Sequence, residues 1–306
     1  MPSSTHASPT LSVPAGWRLT ASEWQPRVRR NTARRAWLRN RGAALGAVVL
    51  IVLLVVAIAA PRLVGYDPIE QNLRARLEPP GPAHLMGTDN LGRDIFSRVI
   101  YGARISLRIG FISIGIASLV GLGLGLPAGY YGGRIESIIM RLMDVMLAFP
   151  GILLALIVIS LLGSSLTNVM IAVGVGGIPP FTRLVRGSVL STRGNLYVEA
   201  ARVVGCRDVR IVLRHILPNM LAPLIVFATL GVASAILSGA ALSFLGLGVQ
   251  PPEPEWGLML ADGRGYLRGY WWMATFPGLA IMLATLAINM LGDGLRDVMD
   301  PRLRRI

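Results

Sequence analysis

The chain has 306 residues, of which 53% are hydrophobic, and its mean hydropathy is +0.58. This composition excludes an ordinary soluble globular protein, because too little polar surface remains to cover the outside. The formal net charge is +14 and all 30 basic residues are Arg, so the charge has to be explained either by nucleic acid or by membrane topology.

Uncharged apolar runs predict an all-α polytopic membrane protein with six transmembrane helices. A helix needs about 20 apolar residues to cross the hydrocarbon core. The run between Asp144 and Arg183 is too long for one crossing, and the turn-forming sequence GSSLTN at 163–168 divides it in two. The predicted spans lie near 42–61, 105–130, 139–162, 168–187, 219–246 and 273–292.

The distribution of Arg predicts the orientation of these spans. With both termini in the cytoplasm, 21 Arg fall in cytoplasmic segments and 9 in external ones, while the acidic residues divide eight and eight. This asymmetry follows the positive-inside rule, so orientation explains the positive charge and nucleic acid is not needed. The predicted organisation is a cytoplasmic tail with a basic segment (1–41), a first helix (42–61), an external loop (62–104), a five-helix core (105–292) and a cytoplasmic tail (293–306).

The external loop contains a patterned sequence, HLMGTDNLGRDIFSRVIYGAR, at 84–104. Its apolar and polar residues separate onto two helical faces, which predicts a short helix lying on the membrane surface. The alternative, compatible with the first, is an external rim that receives a partner protein. A second external loop (246–272) is rich in Pro, Gly and aromatic residues such as Trp256, which favours either anchoring at the headgroups or a lid.

The sequence lacks the motifs that several classes of protein need, and this narrows the possible functions. Without Lys the chain has no Walker A loop, and His6, His84 and His215 all lie outside the predicted spans. We therefore expect no catalytic residue, no metal site and no cofactor in this chain. The span interiors carry no charge, which disfavours ion-coupled transport, and Arg141 and Asp144 are expected to pair with each other at a membrane boundary. Energy for transport would come from another polypeptide.

The predicted cytoplasmic loop 188–218 contains the half-apolar sequence YVEAARVVGCRDVRIVLRHILP at 197–218. Val209, Val212, Leu213 and Ile216 recur at helical spacing, with Arg residues on the opposite face. Gly205 is placed to join two short helices, and Pro218 to end the pattern. The residues alone leave two interpretations: an amphipathic linker under the membrane, or a helix–turn–helix that projects into a partner.

This loop resembles the EAA loop of ATP-binding-cassette (ABC) importer permeases, whose pattern is matched at Glu199, Ala200, Ala201, Gly205 and Leu217-Pro218, with His215 departing from it. Further motifs resemble the second permease of dipeptide/oligopeptide importers over roughly residues 35–303. They are GTDNLGRDIFSRVIYGARISL, AGYYGG, MRLMDVMLAFP, ALSFLGLGVQPPEPEWG and FPGLAI followed by NMLGDGLRDVMDPRL.

The resemblance implies a type I importer permease in a bacterial cytoplasmic membrane. Its partners would be a paralogous permease, two ATPase subunits that bind ATP and Mg²⁺, and an extracytoplasmic solute-binding protein. Other solutes (nickel, glutathione) remain alternatives, as does an ion-coupled transporter. The implied ATPase-coupling residues are Glu199, Ala200, Ala201, Gly205, Arg207, Asp208, Leu217 and Pro218. The implied external rim residues are Asp89, Arg93, Asp94, Arg98 and Trp256.

Overall fold

The computed structural model describes residues 41–299, so the predicted N-terminal tail and the last residues of the C-terminal tail lie outside the described residues. The described chain is built from α-helices, as the hydropathy pattern predicts. These are α1 (Arg41–Leu63), α2 (Ile95–Tyr131), α3 (Gly133–Leu147), α4 (Gly151–Leu162), α5 (Leu166–Arg193), α6 (Leu196–Val203), α7 (Asp208–Ile211), α8 (Leu217–Phe244), α9 (Trp256–Gly263) and α10 (Trp272–Met299). A π-helical stretch, Val212–Ile216, joins α7 to α8.

The third predicted span differs from expectation. Five described helical runs are long and apolar enough to cross a membrane, and a sixth crossing requires α3 and α4 together. The prediction of one continuous helix over 139–162 is wrong, because α3 and α4 meet at an angle of 91°. Pro150 lies in the break: it lacks an amide hydrogen and disfavours a helical conformation at Phe149.

The second difference concerns the start of α2. The predicted separate surface helix within 84–104 is wrong, because α2 begins at Ile95 and continues without interruption to Tyr131. Asp94 caps its first turn, its carboxylate accepting a hydrogen bond from the Ser97 amide at 2.7 Å. The apolar and polar faces that suggested a surface helix are instead both covered by the rest of the chain.

The centre of the bundle is the contact between α2 and α5. Gly121, Gly125 and Gly129 recur every four residues and therefore lie on one face of α2. They face Phe181, Val185 and Val189 of α5. A methyl group added at Gly125 would lie 2.6 Å from the Val185 Cβ, which is closer than two carbon atoms approach. The small residues thus let the two helices pack at short distance, as is common in membrane proteins.

Two non-spanning segments lie at opposite ends of α2. Residues 66–94 precede Ile95, whereas residues 194–216 pack beside Tyr130 at the other end. A helix of 37 residues is about 55 Å long, so these segments lie on opposite sides of the bundle.

Candidate functional site

The 194–216 segment folds as two short helices joined by a turn at Gly205. The Cys206 amide donates to the Ala201 carbonyl, and the Gly205 amide donates to the Arg202 carbonyl, both at 3.0 Å. This pair of bonds is the Schellman arrangement that ends many helices, and it requires a left-handed residue. Gly205 supplies it with φ +81°, so the bend expected at this position is present.

One side of this segment is docked firmly onto the bundle. Val198, Ile211 and Ile216 are buried in a cluster with Val189 of α5 and Met220 of α8. These apolar contacts hold α6, α7 and the start of α8 as one unit against α5.

Polar contacts fix the same segment to the end of α2. The Tyr130 hydroxyl donates to the Asp208 carboxylate at 2.6 Å, and the Arg202 guanidinium lies 5.8 Å from the Tyr130 ring centroid. The Arg193 guanidinium donates to the Gly129 carbonyl at 2.8 Å, which satisfies a carbonyl at the end of α2. A displacement of the segment would therefore be transmitted directly to α2 and α5.

The opposite side of the segment is apolar and exposed. Val203 is 87% exposed, Leu196 83% and Val204 82%. Val209 and Leu213 are also exposed, whereas Ile216 is buried, so the apolar face predicted from their spacing is divided between core and surface. Exposed apolar side chains grouped on one segment are typical of a surface that another protein covers. These five side chains, Leu196, Val203, Val204, Val209 and Leu213, are called the exposed patch below.

The predicted coupling residues lie within or next to the same stretch of sequence as this patch. Most of them are exposed, Ala201 and Leu217 are half-buried, and the Asp208 carboxylate is already engaged by Tyr130. The expectation that Pro218 ends the helical pattern is wrong, because the helical run continues from Asp208 to Phe244. The π-helical stretch immediately before Pro218 provides a wider turn, which accommodates the missing amide hydrogen. The exposed members are Glu199, Ala200, Gly205, Arg207, Asp208 and Pro218.

At the other end of α2, the predicted rim residues are buried. Arg93 contacts Asp89 at 2.5 Å and Asp262 at 3.3 Å, and Arg98 lies 3.8 Å from Asp89. Two cations and two anions thus balance each other. The Arg98 guanidinium also donates to the Pro68 carbonyl at 2.9 Å. The expected exposure of Asp89, Arg93, Asp94 and Arg98 is therefore wrong, because pairing allows these charges to be enclosed. Asp89 and Arg93 are four residues apart, but they lie in the turn before α2 and not on one helix, so helical spacing does not predict this pairing.

Two tryptophans attach the 66–94 segment and α9 to the bundle. Trp256 is 1% exposed, and its indole N–H donates to the Val99 carbonyl at 2.9 Å. The indole N–H of Trp272 donates to the Thr88 carbonyl at 3.1 Å. Trp256 is therefore part of the interior rather than of a headgroup belt or rim, and contact of this end with a binding protein stays a prediction.

Glu255 is a buried carboxylate in the same region. It accepts hydrogen bonds from the amides of Gly257 at 2.9 Å and Leu258 at 2.8 Å, at the start of α9. Burial raises the pKa of Glu255, while these backbone hydrogen bonds oppose the rise. The carboxylate thus acts as the N-terminal cap of α9.

We expect Glu255→Gln to lower the free energy of unfolding by about 1 kcal/mol, because a side-chain amide nitrogen is unable to accept one of the two backbone hydrogen bonds. Thermal unfolding of the detergent-purified protein measures the change. Glu253→Gln is the matched control, since Glu253 is exposed two residues earlier. Equal melting temperatures for both variants would contradict the capping role.

Ion pairs that the sequence did not indicate connect α3 to α5. Asp144 pairs with Arg183 at 2.5 Å, so the expected pairing of Asp144 with Arg141 is wrong. Arg141 and Asp144 share one helix, whereas Arg183 comes from the neighbouring helix. A second pair, Glu136 with Arg186, links the same helices, with Arg186 Nε 2.7 Å from the carboxylate. The two partners of each pair lie on different helices, so their spacing along the sequence predicts neither pair.

Within residues 41–299, no three His, Cys, Asp or Glu side chains converge as metal ligands.

Known proteins resemble this chain over most of its length. Residues 121–305 match the family described as binding-protein-dependent transport system inner membrane component, and residues 30–80 match the N-terminal TM domain of oligopeptide transport permease C. The dipeptide transport system permease protein DppC of Alkalihalophilus pseudofirmus is 48% identical over 266 residues, which cover 87% of this chain and 88% of that protein.

A second relative and a solved structure extend the comparison. The glutathione transport system permease protein GsiD of Pectobacterium atrosepticum is 46% identical, over 88% of this chain and 90% of that protein. The methionine ABC transporter MetNI in an inward-facing conformation shares the fold at a TM-score of 0.54 with 21% identity. That match covers 66% of this chain and 97% of the MetNI chain.

Proposed function

The chain belongs to the family of binding-protein-dependent transport system inner membrane components, and we propose that it is the membrane-spanning permease subunit of an ABC importer for peptides. The structure has the helical architecture of such permeases, and the sequence matches dipeptide permeases over nearly nine-tenths of the chain. The pathway would be formed together with a paralogous permease, in a bacterial cytoplasmic membrane.

The observation that supports this function best is the 194–216 segment. It is fixed to α2 and α5 on one side and carries the exposed patch on the other. A partner ATPase that binds this patch in a groove would hold the segment by apolar contacts, with exposed charges such as Glu199 and Arg207 at the border. Closure of two ATPases around ATP and Mg²⁺ would then move the segments and switch the pathway between its two openings.

The substrate class is proposed as di- and oligopeptides. The relatives named above are described as dipeptide and glutathione permeases, and glutathione is itself a tripeptide. A peptide with free termini presents one ammonium group and one carboxylate group to the pathway that it crosses. Nickel remains the alternative solute. A solute-binding protein on the side of the 66–94 segment would deliver the substrate.

Co-purification and reconstitution test this function. A tagged chain expressed with its genomic neighbours should retain a P-loop ATPase and a second permease, and proteoliposomes holding the whole complex should take up a labelled dipeptide only with ATP and the binding protein. The purified chain alone should transport nothing. Uptake by the chain alone, driven by an ion gradient, would establish an ion-coupled transporter and refute the importer.

A further inference from the structure

Tyr130 connects the end of α2 to both short helices of the 194–216 segment. Its hydroxyl donates to the Asp208 carboxylate of α7 at 2.6 Å, and the Arg202 guanidinium of α6 lies 5.8 Å from the centroid of its ring. The ring is buried, in a cluster that includes Val198 and Ile211. One side chain of α2 therefore contacts α6 and α7 together.

The backbone around Tyr130 is held as well as its side chain. The Arg193 guanidinium donates to the Gly129 carbonyl at 2.8 Å and to the Tyr130 carbonyl at 3.2 Å. Gly129 also lies against Val189 of α5, so closely that an added Cβ would come within 2.6 Å of the Val189 Cβ. A force applied to the Tyr130 side chain therefore acts on the end of α2 itself.

Asp208 contacts α2 although the resemblance assigns it to the ATPase contact. The residue is exposed, yet its carboxylate accepts a short hydrogen bond from the Tyr130 hydroxyl, at the distance expected for a charged acceptor. A hydrogen bond to a charged group shifts an equilibrium by about tenfold or more. The bond to Tyr130 thus gives Asp208 a function within this chain that does not require a partner.

We propose that the Tyr130–Asp208 hydrogen bond carries the movement of the ATPase-binding segment to α2, so that both are positioning residues that couple ATP hydrolysis to uptake. The apolar contacts of Val198 and Ile211 are non-directional and permit sliding, whereas a hydrogen bond fixes distance and direction. When closure of the ATPases displaces α7, the bond moves the end of α2 with it. Without the bond, α6 and α7 move against α2 and ATP is hydrolysed with less uptake. This proposal rests on the proposed function, because it takes the ATPase to bind the segment.

The test measures the coupling ratio, which is the number of labelled dipeptides taken up per ATP hydrolysed by the whole complex with its binding protein in proteoliposomes. Tyr130→Phe keeps the ring and removes the hydroxyl group. It should lower the coupling ratio at least about threefold while the ATPase stays in the purified complex. Tyr131→Phe is the matched control, since Tyr131 is the next residue and is exposed, with its ring edge-on to that of Tyr130. It should keep the wild-type ratio.

Two substitutions of Asp208 separate the internal link from a contact with the ATPase. Asp208→Asn keeps an oxygen that accepts the Tyr130 hydrogen bond, so it should retain more of the coupling ratio than Asp208→Ala. The double variant, Tyr130→Phe with Asp208→Ala, should have the same ratio as Asp208→Ala alone, because both changes remove one bond.

Four results would overturn the proposal. They are an unchanged coupling ratio in Tyr130→Phe, which includes an equal loss of uptake and ATP hydrolysis; an equal fall of the ratio in Tyr131→Phe; effects that multiply in the double variant; and loss of the ATPase from the complex in Asp208→Ala. The last two would show that Asp208 acts on the partner. If the wild-type complex hydrolyses ATP and takes up no peptide, the proposed function fails instead.

Discussion

Gly205→Val is expected to reduce peptide uptake by the whole complex at least about tenfold while the chain still inserts into the membrane. A left-handed conformation costs an L-residue roughly 1–2 kcal/mol, and a β-branched side chain tolerates it least. Relief of this strain breaks the two hydrogen bonds at the turn, Cys206 to Ala201 and Gly205 to Arg202. α6 then shifts relative to α7, and the exposed patch loses the shape that an ATPase binds. Uptake, membrane content and ATPase co-purification are measured together.

Gly194→Val is the matched control. Gly194 and Gly205 are both exposed, and neither has an atom within 4 Å of an added Cβ. They differ in conformation, since Gly194 has φ −83° and Gly205 has φ +81°. A loss of uptake shared by both variants would show that side-chain bulk, and not backbone conformation, is responsible. Normal uptake with Gly205→Val would refute the proposed role of the turn.

The second large effect is expected at the centre of the bundle. Gly125→Val should lower the free energy of unfolding by about 3 kcal/mol, because an added Cβ would lie 2.6 Å from the Val185 Cβ and 2.8 Å from the Thr182 carbonyl oxygen. Neither neighbour is the flexible end of a long side chain, so α2 and α5 have to separate. Thermal unfolding in detergent and the yield of monodisperse protein report the change.

Gly123→Val tests whether this effect comes from the helix contact. Gly123 lies on the same helix, is exposed, and has no atom within 4 Å of an added Cβ. Its replacement should leave the melting temperature close to that of wild type. Equal destabilisation by both variants would mean that glycine is needed for the helix itself and not for its contact with α5.

Features that depend on local sequence were predictable. The apolar runs predicted the membrane-spanning segments. Gly205 predicted the turn, because a left-handed residue at a helix end is usually glycine. The break at Pro150 was missed, although a proline carries the signal, because the run on either side of it is apolar enough to continue a span. Hydropathy measures the affinity of a segment for lipid and is insensitive to its direction.

Features that depend on distant residues were not predictable. The polar face of 84–104 indicated exposure, yet Arg98 is enclosed by Asp89 and by the Pro68 carbonyl from its own region and lies near Asp262 from the last third of the chain. The Asp144–Arg183 pair likewise joins residues 39 positions apart. Charge patterns along one helix show which face is polar, but the partner that neutralises a charge is determined by tertiary contacts.

The long-range contacts of the 66–94 segment have a consequence for biosynthesis. Thr88 is bonded to Trp272, which follows it by 184 residues, and Arg98 approaches Pro252, which follows it by 154. At roughly 5 to 20 residues per second, a ribosome delivers Trp272 about 10 to 40 s after Thr88. During that interval Arg93 lacks its contact with Asp262, and Arg98 lacks its contact with the Pro252 carbonyl. The segment therefore reaches its final structure only near the end of translation, after most of the helices have been made.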